Sequence, residues 1–171
     1  MKNYDYQAQK VYQAQADAFY SHFGDELQHA MDWDDFVYLF ECIKRSEIYR
    51  QLGGSENLTL SYSDDGRRTR CYYYFQQERI LVLDWGINSM LLCHEVAHHL
   101  KHQYAPDAPN HGSTFMGIFM ALLFEFGSQY EEMEHFDILD TDSTLFNCLM
   151  TYCFDNKIDV NYKLMHDLAF K

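Results

Sequence analysis

The stretch His94-Glu95-Val96-Ala97-His98 constrains this chain more than any other. Residues four apart on a helix lie on one face, about 40° out of register. On a helix, His94 and His98 can therefore grip one metal ion. Glu95 projects beside them, within reach of a water on that ion. Zinc takes imidazole nitrogens readily and keeps one position open for water in catalytic centres. The H-E-x-x-H spacing thus carries a mechanism of its own.

The surrounding residues predict the helix. Asn88 or Ser89 can cap it, and it runs through Met90-Leu91-Leu92-Cys93 to about Gln103. Leu91, Leu92, Val96 and Leu100 supply an apolar component, while His94, His98 and His102 form a separate stripe. His102 sits two turns from His94, about 12 Å along the axis, so one ion cannot be held by both. His99 points off the stripe and reads as structural.

A third ligand must come from elsewhere. Both prolines of the chain fall in the loop Tyr104 to Asn110, which leads to His111-Gly112-Ser113-Thr114-Phe115. The loop reverses the chain, so His111 can return towards the metal helix. Pro106 and Pro109 lower the entropy lost in holding it there, and Gly112 lets the backbone approach closely. A new helix, with Ser113 or Thr114 as cap, runs through Ile118, Phe119, Leu122, Leu123 and Phe126 to Gly127. His111, thirteen residues after His98 at a helix start, is the best third ligand. Glu125, on that next helix among apolar residues, is the alternative. The run Glu131 to His135 reads as a solvated loop.

Elsewhere the pattern predicts an α+β fold. Residues 6 to 20 look helical. Asp32 caps a second helix with Phe36, Val37, Phe40 and Ile43 at helical spacing, ended by Lys44, Arg45, Arg50 and Gly53-Gly54. From Leu58 the period changes to two, with segments Leu58 to Tyr62, Thr69 to Phe75 and Ile80 to Leu83. Asp64-Asp65-Gly66 supplies a turn and Gln76-Gln77-Glu78 a break, which predicts a small three-stranded antiparallel meander. Cys71 to Phe75 puts tyrosines on both faces, as in a half-exposed sheet or an edge that pairs with an extended peptide. Helices follow from about Ser143 to Phe154 and from Val160 to Phe170. His22 and His29 read as surface histidines.

Length and composition bound the rest. A chain of 171 residues, 47% apolar, fits one domain spanning 1–171 with a real core. With 13 Lys and Arg against 26 Asp and Glu, the net charge of −13 argues against nucleic acid and anionic membrane as partners. The short basic cluster Arg67-Arg68-Thr69-Arg70 reads as a solvated hairpin tip. Five cysteines, odd in number and without a C-x-x-C pair, fit a reducing compartment. Cys148 and Cys153 read as core and surface thiols rather than ligands. No signal-like segment or long apolar run is evident, so the expectation is a soluble, cytoplasmic protein.

The combination H-E-V-A-H-H-L, then His111-Gly112, with Phe115 following, resembles the SprT-like zinc metallopeptidases. It is more similar still to small HExxH…HG metallohydrolases of actinobacteria and their phages, which have an early Val-Tyr-x-Ala element, here Val11-Tyr12-Gln13-Ala14. The strong part covers roughly residues 80 to 126. The resemblance implies a zincin-like fold, with a small antiparallel sheet packed against the metal helix and several flanking helices. It implies His94, His98 and His111 as zinc ligands and Glu95 as catalytic acid/base. The DNA-repair branch carries a zinc ribbon, and this chain has no paired C-x-x-C, so a DNA-associated role is not carried over.

The leading expectation is a zinc metallopeptidase, hydrolysing a protein or peptide substrate with Glu95 as general base. Tyr104, Tyr130 and His135 are candidate donors to the oxyanion. A second expectation is a non-catalytic, zinc-bearing interaction module that binds a protein partner, for which a base at Glu95 has little use. Peptide deformylase also uses H-E-x-x-H, with an upstream cysteine as third ligand. Cys71 lies upstream, without deformylase-like surroundings. A three-histidine endoribonuclease needs a ligand six residues after the second histidine, where Tyr104 stands.

Overall fold

A computed structural model describes residues 5–23, 31–65, 70–127 and 145–170, and the fold they form is α+β. In chain order the elements are α1 (Ala8–Phe23), α2 (Trp33–Arg45), α3 (Glu47–Gln51), β1 (Thr59–Tyr62), β2 (Tyr72–Tyr74), β3 (Arg79–Val82), α4 (Ser89–Tyr104), α5 (Ser113–Phe126), α6 (Leu145–Asp155) and α7 (Tyr162–Ala169). His29, Gly66, Arg67, Arg68, Thr69, Tyr130 and the run Glu131 to His135 lie outside the described residues, as does the side chain of His22.

The organising element is α5. Its sequence, STFMGIFMALLFEF, is apolar nearly all round, and such a helix must be covered on every side. It packs against α4, α7, α6 and α2. Phe115, Met116, Ile118, Phe119, Met120 and Leu122 are fully buried, each stabilising the fold by roughly 1.5–3 kcal/mol relative to exposure. Gly112, not Ser113 or Thr114, precedes the helix, and its carbonyl accepts the Met116 N–H at 3.0 Å. A side chain there would meet the Pro109 ring at 3.1–3.3 Å, which explains the glycine.

The sheet departs from the expected meander. Its order is β1-β3-β2, with β1 parallel to β3 (Thr59 opposite Arg79, Tyr62 opposite Val82) and β2 antiparallel to it (Tyr73 opposite Ile80). The sheet is therefore mixed rather than antiparallel. Ile80, Leu81 and Val82 are all buried, so β3 takes the centre, and the more exposed β1 and β2 take the edges. The Gln76-Gln77-Glu78 break is a 3₁₀ turn over Phe75–Gln77, closed by Glu78 in the left-handed region (φ 45°, ψ 51°).

The second helix is also shorter than expected. Ser46 turns extended (φ −69°, ψ 160°), ending α2, and its hydroxyl accepts the Tyr49 N–H at 3.2 Å to start α3. Asp32 and Asn88 cap α2 and α4 as expected, accepting from Asp34 and Leu91.

Fully buried His99 joins α4 to the sheet and to the turn after α3. Its Nε2 accepts the Ser55 N–H at 3.1 Å, so Nδ1 carries the proton and donates to the Tyr73 hydroxyl at 2.9 Å. Burial pushes this imidazole down to about 4, against about 6.5 in an unfolded chain. The native state thus binds fewer protons across that window. The stability His99 contributes is complete above about pH 6.5 and is lost as pH falls towards 4. We expect His99→Gln to flatten the melting temperature against pH between 4 and 6.5, relative to wild type, in thermal scans.

Gly117 sits where α5 meets the start of α7. A Cβ there would lie 2.8 Å from the Asn161 carbonyl oxygen. Alanine in a helix interior gains about 1 kcal/mol over glycine. Overpacking costs about 1–3 kcal/mol, and a backbone obstacle yields little. Gly117→Ala is therefore expected to destabilise by about 1 kcal/mol or more in urea unfolding.

Candidate metal centre

α4 supplies the first two imidazoles. His94 Nε2 and His98 Nε2 face each other at 3.0 Å. Two tetrahedral ligands about 2.0–2.1 Å from zinc would be roughly 3.3 Å apart, so this spacing is near that of a shared ion. The loop after α4 brings in the third. One donor atom from each of His94, His98 and His111 falls within 4.8 Å of the others, the one such cluster among the described residues. Glu125 is exposed on α5 and does not belong to it.

Phe115 is the common floor. Its ring stacks on His98 (4.5 Å, 30°) and meets His94 and His111 edge-on, both at 5.0 Å. Phe119 supports His94 at 5.5 Å. Burial, then the facing imidazoles, hold His94 and His98 well below the usual histidine range. Both rings are therefore neutral, with lone pairs available for a metal.

Asp5 orients the third imidazole. His111 Nδ1–H donates to Asp5 Oδ2 at 2.6 Å, and the His111 backbone N–H donates to Oδ1 at 3.1 Å. The proton is thereby held on Nδ1, which leaves Nε2 as the electron-pair donor. That Nε2 is buried and has no hydrogen-bond partner among the described residues. Burying an imidazole nitrogen unpaired is unfavourable, and a cation in the cluster would satisfy it. The donor set therefore fits a metal ion. His94 Nδ1 is likewise buried without a partner among the described residues, so packing against Phe115 and Phe119 holds that ring instead.

Two further residues hold the loop. Buried Gln7 donates to the carbonyls of His111 (2.6 Å) and Asp159 (3.0 Å), and accepts the Asp159 N–H (2.9 Å). Lys101, also buried, donates to the Pro106 carbonyl (3.3 Å) and Asn110 Oδ1 (3.4 Å). Sequence reasoning missed Asp5, Gln7 and Lys101. Asp5 and Gln7 lie more than a hundred positions from His111, with no spacing rule to connect them. Lys101 could have been noticed, as a cation in the last turn of α4, where it favours the helix dipole.

The cluster opens into a cleft of about 1290 Å³. α4 forms its floor, while α1 lines it with Tyr12, Gln15 and Phe19, and the β2 region with Tyr72 and Tyr73. Glu95 is buried beside the histidines, and burial pushes its carboxyl up to about 7. The Tyr73 backbone N–H opposes that shift. Cys71 also lines the cleft, but its thiol accepts the Leu83 N–H (3.3 Å) and burial pushes it up to about 11, which leaves it protonated. Of the expected oxyanion donors, Tyr104 is exposed and does not line the cleft; Tyr130 and His135 lie outside the described residues.

No family model, curated protein or solved structure matches the chain. Among the described residues, no helix is long and apolar enough to cross a membrane.

Carboxylates that orient metal-bound imidazoles are typically worth 10–100-fold in metal affinity. Asp5→Asn should therefore weaken the binding of an added divalent metal ion by about 10–100-fold in competition with a chelating dye. Glu125→Gln should leave it unchanged.

Proposed function

We propose that the chain is a zinc-dependent metallopeptidase of zincin type, related to the SprT-like group by its H-E-x-x-H and His-Gly elements. His94, His98 and His111 would hold the ion. When bound there, zinc supplies a Lewis acid that polarises a carbonyl and makes water a better acid. The observation that carries the reading is the convergence of three imidazoles in one cleft with a buried carboxyl, Glu95, on the same helix as two of them.

A general base works best when its pKa lies near the working pH. Glu95 can take a proton from the attacking water and return it to the departing amine nitrogen. Burial keeps competing bulk water away from this carboxyl, and the Tyr73 N–H steadies its ionised form.

A peptide as substrate is supported by the edge of the sheet. β2 pairs with β3 on one side, and its region lines the cleft. An edge strand beside a cleft offers backbone groups to an extended chain, and Tyr72, exposed on the rim, offers an aromatic contact. A zinc-bearing scaffold that only binds a partner would leave the buried Glu95 carboxyl without a use.

Glu95→Gln keeps the size of the side chain and removes the base. We expect zinc content by elemental analysis to stay near one ion per chain. Hydrolysis of a quenched-fluorescence peptide library should fall by about 10²–10⁴-fold. Equal hydrolysis in the two proteins would overturn the mechanism.

A further inference from the structure

α1 faces two ways. Val11, Ala14 and Ala18 are fully buried in the core. Tyr12, Gln15, Ala16 and Phe19, spaced at helical intervals, line the cleft instead. This wall of the cleft is thus a helix more than seventy positions away from the motif.

Tyr12 is the residue of that wall that touches the histidines. Its ring stacks on His94 (5.7 Å, 29°) and meets His111 edge-on at 4.8 Å. It is nevertheless 52% exposed, because the rest of the ring is turned to the cleft. Among the described residues its hydroxyl has no hydrogen-bond partner. The ionisable groups that act on the phenol are Glu95, Asp5, Arg70 and Tyr72, which belong to the two walls and the floor of the cleft. Tyr12 and Glu95 thus line one cleft, beside the three histidines.

Two other donors that line the cleft are engaged. The Tyr73 hydroxyl is bonded to His99, and the Lys101 ammonium to Pro106 and Asn110. Catalysis of acyl transfer gains most from a donor already aimed at the oxygen that develops charge, because no reorganisation is then needed. A phenol held against two of the histidines by aromatic contacts, its O–H without a partner among the described residues, has that arrangement.

We propose that Tyr12 is a catalytic residue that donates a hydrogen bond to the substrate carbonyl oxygen as that oxygen gains negative charge. No bond to Tyr12 forms or breaks, and its proton stays on the phenol throughout. The inference rests on the metallopeptidase reading and adds a residue to it.

The test is Tyr12→Phe, which keeps the ring contacts and removes the hydroxyl. Three measurements are made on wild type and variant: zinc affinity by dye competition, turnover of a cleaved peptide, and calorimetric binding of acetohydroxamate to the zinc-loaded protein. We expect zinc affinity within about twofold. kcat should fall by about 10²–10³-fold with KM little changed. Hydroxamate affinity should fall by about tenfold or more, since an anionic oxygen loses its donor. A matching loss of zinc affinity would make Tyr12 a structural support and overturn the proposal. Unchanged turnover and hydroxamate affinity would overturn it while leaving the peptidase reading intact. If wild type cleaves no peptide but the hydroxamate result holds, the donor role stands and the peptidase reading falls. A phenolate-to-copper charge-transfer band in the copper-loaded wild type, absent from Tyr12→Phe, would make Tyr12 a ligand and also overturn it.

Discussion

Covering α5 along nearly all of its length is the requirement that the rest of the structure serves. A helix so apolar can sit only at the centre, and each neighbour is amphipathic or buried in turn. The histidine cluster forms where that central helix begins. Phe115 is both a core residue and the floor under the three imidazoles. The histidines are therefore packed against the buried core, which suits a site that needs fixed geometry.

This location explains how the site handles polarity. His94, His111 and the Glu95 carboxyl are buried, and His98 partly so, in a largely aromatic setting. Burial is the largest influence driving His94, His98 and the Glu95 carboxyl towards their neutral forms, which leaves both of those imidazoles with lone pairs that a metal could use. An ion-paired contact orients His111, whose loop has no helix of its own to do so. There Asp5 and Gln7, from the stretch leading into α1, supply what regular structure supplies to the other two.

Local chemistry was legible in the sequence, and partner choice was not. The cap at Asn88, the histidine stripe and the proline-rich reversal to His111 all act over a few residues, and all were readable as such. Expecting β1 beside β2 rather than β3 followed from reading strands in chain order, whereas burial on both faces put Ile80 to Val82 in the middle. The break at Ser46 was hidden by helical spacing that continues through it, and only the extended backbone with its hydroxyl cap reveals it. Asp5 and Tyr12 could not be read as parts of a site, because their partners are set by how α1 packs on the rest of the fold.

The Asp5 bridge has a thermodynamic corollary. Whatever free energy the docked N-terminal segment lends to an ion held by His111 must return in equal measure, as a tighter grip on that segment when an ion is bound. The same holds along Gln7 to Asp159, since both bond the backbone that carries the histidine. Metal occupancy and the packing of residues far from the motif are then two readings of one equilibrium, and a change at either end is felt at the other.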